Sequence, residues 1–199
     1  MKTCLSLVLF FGIIGCVAQP IAPPAQEFTE RERVVLNLAE LLTVRIVSLD
    51  TYGTGVLIAG KYILTCEHVI DNSDVPWIIF RDGEIVQGKV VRKDANIDLA
   101  LIEVPERFCP VGVFNTKQWD YVVSVGHPRG VLWKHTKGQV LEIDGKNLFL
   151  IMETNFGASG SGVWDQNGRL VGIVQAFEKS MGITWCASPQ SIRKFLRNE

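Results

Sequence analysis

The chain has 199 residues, 47% hydrophobic and 21% charged, which is enough apolar material for a folded unit with a substantial core. Its 20 basic and 21 acidic side chains leave a formal charge of −1, so the basic footprint of a nucleic-acid binder is missing. The 18 glycines and 8 prolines, spread through a sequence rich in Val, Ile and Leu, argue for short strands and turns and exclude collagen, coiled coil, a disordered chain and a polytopic membrane protein.

Met1 and Lys2 precede an apolar run over residues 5–14 and then Gly15-Cys16, the order of an export signal. A bilayer span needs about 20 apolar residues, so a permanent transmembrane helix is the weaker reading. Ile13-Ile14-Gly15-Cys16 resembles a bacterial lipobox, in which Cys16 becomes a lipid-modified N-terminus; cleavage near Val17-Ala18 is the alternative. The expected division is a signal peptide over 1–15, a Pro-rich lipid-anchored tether over 16–26 containing Pro20, Pro23 and Pro24, and a folded domain over 27–199. The location this implies is a periplasm-facing membrane lipoprotein, with a soluble periplasmic or secreted protein as the alternative. Once Cys4 has left with the signal, Cys66, Cys109 and Cys186 remain; three thiols cannot all pair, and each is expected to be a small buried hydrophobe.

Thr29-Glu30-Arg31-Glu32 has the form of a capping box, and Val34, Val35, Leu38, Leu41 and Leu42 follow at helical spacing, predicting one amphipathic helix before the core. Six short apolar runs come next, at 44–49, 55–58, 62–65, 77–80, 85–92 and 99–104, enough strands to close a small barrel. A second set covers 121–125, 139–143, 148–153, 162–164, 170–176 and 183–187. Residues 189–196, opening with Pro189, read as a terminal helix.

Three segments carry candidate chemistry. Tyr62-Ile63-Leu64-Thr65-Cys66-Glu67-His68 ends a strand on a histidine, and Asp98 immediately precedes a strongly apolar strand, where a partly buried carboxylate needs a partner. In Asn155-Phe156-Gly157-Ala158-Ser159-Gly160-Ser161-Gly162, glycines surround two serines between strands. Taken singly, these read as a structural histidine, a turn residue and a hairpin.

Taken together and in this order, they resemble the trypsin-like serine peptidases of the chymotrypsin fold, most closely the bacterial Deg/HtrA-type branch. Gly53-Thr54-Gly55-Val56-Leu57-Ile58, Val125-Gly126-His127-Pro128-Arg129-Gly130 and Gly168-Arg169-Leu170-Val171-Gly172-Ile173 support the resemblance, which covers about 44–196. It implies an all-β fold of two six-stranded antiparallel barrels, about 43–107 and 108–188, with the amphipathic helix before them and a C-terminal helix at 189–197. The implied activity is serine endopeptidase cleavage of peptides in exported proteins through an acyl-enzyme, without cofactor or metal.

A serine hydroxyl is a weak nucleophile that needs a base within hydrogen-bond reach, and the base needs a carboxylate on its other ring nitrogen. The resemblance gives these roles to Ser159, His68 and Asp98, and makes the backbone amides of Gly157 and Ser159 the oxyanion donors. Ser161, the rival nucleophile, falls where the family often has a glycine. Ala158 stands where digestive relatives carry an aspartate that pairs with a new N-terminus, so that route to activation is closed. Glu153, Thr154, Asn155 and Phe156, with Gln175, Ala176 and Phe177, are the expected substrate-binding residues. Glu153 would attract a basic side chain if it faced the pocket, although Thr154 or Asn155 could form the floor instead. Gln175 and Ala176 are expected to offer backbone groups to an extended peptide.

His127 and His135 lack ligand spacing for zinc, and His127 belongs to the turn before Pro128. Trp133 and Trp185 read as barrel packing. A catalytically weak peptide-binding module on the same fold is the competing reading. A Gly-x-Ser-x-Gly esterase elbow fails at Ser161. The end of the sequence just beyond the terminal helix carries the expectation that the PDZ domain of many Deg/HtrA-type proteins is missing, and the oligomeric state is open.

Overall fold

The computed structural model describes residues 26–70, 73–107 and 111–198. The predicted signal peptide, nearly all of the tether with Cys16, and Cys109 lie outside them. Helix α1 (Glu30–Leu42) begins at the capping box: the Thr29 amide donates to Glu32 Oε2 at 2.7 Å, and the Glu32 amide donates to Thr29 Oγ1 at 3.3 Å. The apolar face differs from the expected one. Val35, Leu36 and Ala39 are buried, whereas Val34, Leu38 and Leu41 face solvent. The helix has apolar residues on two sides, and packing against the second barrel selects one of them, which spacing alone does not decide.

Seven strands follow: β1 (Thr43–Val47), β2 (Tyr52–Ile58), β3 (Tyr62–Thr65), β4 (Trp77–Ile79), β5 (Ile85–Gln87), β6 (Lys89–Asp94) and β7 (Leu99–Glu103). They pair antiparallel in the order β5-β4-β1-β2-β3-β7-β6. The expected single strand at 85–92 is divided into β5 and β6 at Gly88, and these two pieces form the opposite ends of the sheet. The Gly88 and Val90 amides donate to the carbonyls of Pro76 and Asp74, each at 2.9 Å, so one bent segment spans both edges and curls the sheet round its core. A Cβ on Gly88 would lie 2.3 Å from Ile102 Cγ2, so only glycine lets the bend pass over the core. Val44, Ile46, Ile63, Leu64, Ile78 and Ile102 fill that core.

The second unit is a closed six-stranded barrel with ladder order β10-β13-β12-β11-β8-β9. Its strands are β8 (Tyr121–Gly126), β9 (Lys134–Ile143), β10 (Asn147–Ile151), β11 (Gly162–Asp165), β12 (Leu170–Glu178) and β13 (Ile183–Ala187). Along β10 the inward Leu148 and Leu150 alternate with Phe149 and Ile151, the period of a strand with one core face. Phe149 packs edge-on against Trp185 outside this core. Helix α2 (Pro189–Arg197) is capped by Ser188, whose hydroxyl accepts from the Ser191 amide at 3.2 Å. It reaches back to the first unit, where the Arg92 guanidinium donates to the Phe195 carbonyl and lies 5.5 Å from the Phe195 ring centroid. β2 is buried on both faces because its outer side meets the second barrel: the Thr54 amide donates to the Ser159 carbonyl at 2.8 Å.

Candidate active site

The pairing of β3 with β7 places Thr65 opposite Ala100. Three residues beyond Thr65 and two before Ala100, His68 and Asp98 therefore leave the same end of two neighbouring strands. His68 sits on a 3-10 turn, Glu67–Val69, and Asp98 closes the turn that leads into β7. His68 Nδ1 lies 3.0 Å from Asp98 Oδ1 and 2.9 Å from Oδ2, and the His68 amide donates to Oδ1 at 3.1 Å. A carboxylate that accepts from Nδ1 fixes the tautomer and leaves Nε2 as the basic nitrogen of the ring. Asp98 adopts φ +49°, an unusual conformation for an L-residue outside the Gly, Asn and Asp turn positions.

Ser159 lies in the loop between β10 and β11, half-buried, and its hydroxyl donates to the Gln175 carbonyl at 3.1 Å. Ser161 is buried and its Oγ has no hydrogen-bond partner among the described residues, so the rival hydroxyl lacks the base a nucleophile needs. The Arg129 amide donates to the Phe156 carbonyl at 2.7 Å. In a trans peptide, C=O and N–H point in opposite directions, so this contact turns the Gly157 N–H the other way. Gly157 has φ +92°, and a Cβ there would lie 2.5 Å from the His127 carbonyl oxygen and 2.6 Å from Tyr52 Cε2. The Gly157 and Ser159 amides donate to no acceptor among the described residues.

Thr54, in the Gly53-Thr54-Gly55 segment of β2, is central to this loop. Its hydroxyl donates to the Gly157 carbonyl at 2.8 Å and accepts from the His127 amide at 3.2 Å. His127 Nδ1 is 3.1 Å from the same oxygen, and since the Thr54 proton is committed to Gly157, the imidazole donates there. His127 Nδ1 therefore carries a proton; burial, and secondarily the Arg45 charge, pull the ring's pKa down to about 4, which keeps it neutral near pH 7. A glycine-rich strand gave no sign of this, because the role of Thr54 depends on what the second barrel presses against it.

The structure places Glu153, Thr154, Asn155, Phe156, Gln175, Ala176 and Phe177 with Ser159 around one cleft of about 590 Å³. Glu153 is exposed, and the cleft also carries Arg129 and Lys179, so its single carboxylate is outnumbered by two cations. The Thr154 hydroxyl is buried 3.3 Å from that of Thr184. Phe156 is 65% exposed and packs edge-on against Tyr52, with ring centroids 5.2 Å apart.

Cys66 and Cys186 are buried free thiols. The Cys66 thiol does more than fill space, donating to the Val174 carbonyl at 3.1 Å. Burial first, then the Asp98 charge, push it well above the ordinary thiol range, and burial does the same for Cys186. Ligand atoms of Cys66, His68 and Asp98 lie within 4.8 Å of one another, a cluster the sequence did not single out. The protons of this cluster are committed within the protein, His68 Nδ1 to the Asp98 carboxylate and the Cys66 thiol to the Val174 carbonyl.

In place of the two expected six-stranded barrels stand a curled seven-stranded half-barrel and one closed six-stranded barrel; with a carboxylate-held imidazole on the first and a serine in a glycine turn on the second, they define a trypsin-like serine protease domain. The chain belongs to the trypsin-like peptidase domain family, whose model matches residues 53–173. It is similar to the periplasmic serine endoprotease DegP of Salmonella typhimurium, 32% identical over 137 residues that cover 61% of this chain and 29% of that protein. It is 30% identical over 146 residues to the serine endoprotease DegS of the same species, covering 65% of this chain and 41% of that one. Thus the chain matches less than half the length of these relatives. Among solved structures, the serine endoprotease of Yersinia pestis superposes with a TM-score of 0.78 at 22% identity, covering 87% of this chain and 67% of that chain. Rv3671c of M. tuberculosis, in an inactive form, gives 0.76 at 22% identity, covering 90% and 95%.

Proposed function

We propose that the protein is a serine endopeptidase in which Ser159 is the nucleophile, His68 the general base and Asp98 the group that orients and stabilises the imidazolium. The observation that carries this reading is the hold of Asp98 on His68 Nδ1 through both carboxylate oxygens, which turns the ring's basic nitrogen to the work of proton abstraction. In the resting protein the Ser159 hydroxyl is parked on the Gln175 carbonyl. Rotation toward Nε2 of His68 starts the attack on a substrate carbonyl, and the oxyanion meets the open amides of Gly157 and Ser159. Collapse of the tetrahedral intermediate expels the amine, which takes the proton from His68; water, activated by the same base, then hydrolyses the acyl-enzyme.

The substrate is an extended protein segment laid along Gln175, Ala176 and Phe177, and the mixed charge of the cleft favours no selectivity for Arg or Lys. The periplasmic relatives and the apolar run after Lys2 together support export, with residues 1–15 as signal, Cys16 as the lipidated N-terminus and 27–199 as the peptidase domain. Fluorophosphonate labelling and casein cleavage by the mature protein, both lost in Ser159→Ala, is the expected result. Equal labelling of the variant overturns the assignment, and peptide binding without labelling of the wild type favours the binding-module reading. The mass of the exported N-terminus tests the acylation of Cys16.

A further inference from the structure

We propose that the side chain of Gln175 is a positioning residue, a strap by which the second barrel holds the Asp98 turn of the first. This inference rests on the reading of Asp98 as the group that orients His68. The ladder between β12 and β13 pairs Val174 with Cys186 and then Ala176 with Trp185, so Gln175 is the extra residue of a bulge. A bulge releases one residue from the ladder and re-aims its side chain. Released in this way, Gln175 makes contacts in two directions. Its carbonyl accepts from the Ser159 hydroxyl at 3.1 Å, while its Nε2 donates to the Ile97 carbonyl at 2.6 Å and the Asp98 carbonyl at 3.1 Å. Both amide protons are thus spent on the two residues that enter β7.

The Asp98 turn needs such a hold. Its φ of +49° lies in the left-handed region, which costs an L-residue energy even though Asp tolerates it better than most, and the carboxylate beyond that backbone must meet His68 Nδ1 at 2.9–3.0 Å. A backbone free to relax would move both carboxylate oxygens off the ring. The chemistry selects glutamine. Two carbonyl acceptors require a neutral group with two donors, glutamate would set a third oxygen against them beside Asp98, and asparagine is one methylene too short to reach across the barrel junction. The same residue touches the nucleophile through its backbone and the orienting carboxylate's turn through its side chain, so it links two groups carried on different barrels.

The test compares Gln175→Ala, Gln175→Glu and Gln175→Asn with wild type in the mature protein. In Gln175→Ala, kcat should fall by about 10²-fold, the scale on which small misplacements of catalytic groups act, with KM near the wild-type value. Gln175→Glu should be lower still and Gln175→Asn should not restore the rate, while all three still fold and melt cooperatively because Gln175 is only partly buried and lies outside the apolar core. The far-downfield proton NMR signal of the His68–Asp98 hydrogen bond should broaden or shift in each variant. A kcat and a downfield signal both unchanged in Gln175→Ala overturn the proposal. The NMR signal reads the geometry without turnover, so if the wild type takes no fluorophosphonate label, the peptidase reading fails separately and the strap is still decided by the spectrum.

Discussion

Gly157→Ala isolates the oxyanion turn from the rest of the fold. The backbone there has φ +92°, and placing an L-residue at positive φ costs about 1–2 kcal/mol. The new methyl would also sit 2.5 Å from the His127 carbonyl and 2.6 Å from the Tyr52 ring, both well inside contact distance, so the Phe156–Gly157 peptide must move. Moving it swings the amide proposed to face the oxyanion, and losing one such donor costs about 2.7–4 kcal/mol of transition-state stabilisation, or roughly 10²–10³ in kcat. KM should change little, because that donor acts on charge that develops only in the transition state. Gly83→Ala supplies the control. It has nearly the same φ, +90°, but nothing within 4 Å of the added methyl, so it should bear only the backbone strain and keep wild-type kcat. Steady-state kinetics on a quenched peptide, together with calorimetric melting, separates the two effects. A Gly157→Ala enzyme with kcat within roughly threefold of wild type would refute the reasoning, since even one weakened donor should exceed that.

Thr54→Val keeps the shape of the side chain but removes the hydroxyl shared by Gly157 and His127, leaving buried groups unpaired at about 1–3 kcal/mol each; denaturant titration should show the loss, together with a lower kcat. The His127 pKa of about 4 lies below its unfolded value of 6.5, so the unfolded chain binds more protons between those limits. Stability is accordingly full above pH 6.5 and falls by about 3 kcal/mol as pH drops through that window, a slope that His127→Gln should flatten in melts taken across pH. Gly88→Ala forces a methyl to 2.3 Å from Ile102 and should destabilise by about 1–3 kcal/mol, read as a lower denaturant midpoint with activity preserved below it.

Much of this architecture was legible along the chain because strands and caps are local. The short apolar run from Leu148 to Met152 announces β10, and Thr29 with Glu32 announces the start of α1, from a few residues read in order. The face that α1 buries was not legible, since Val34, Leu38 and Leu41 are as apolar as Val35, Leu36 and Ala39. Nor was the role of Cys66, whose thiol bonds to a carbonyl on the other barrel, or that of Thr54, which depends on a loop more than a hundred positions away.

By itself the sequence determined the two sets of strands, the capping residues and the family motif around His68, Asp98 and Ser159, since each is written in neighbouring residues. Only the tertiary structure decided that Gln175 bridges the two units, that Thr54 anchors the glycine turn, that Ser161 is buried without a base and that the first sheet bends at Gly88. These contacts join residues distant along the chain, and a hydrogen bond at 3 Å exists only after packing has brought its partners together.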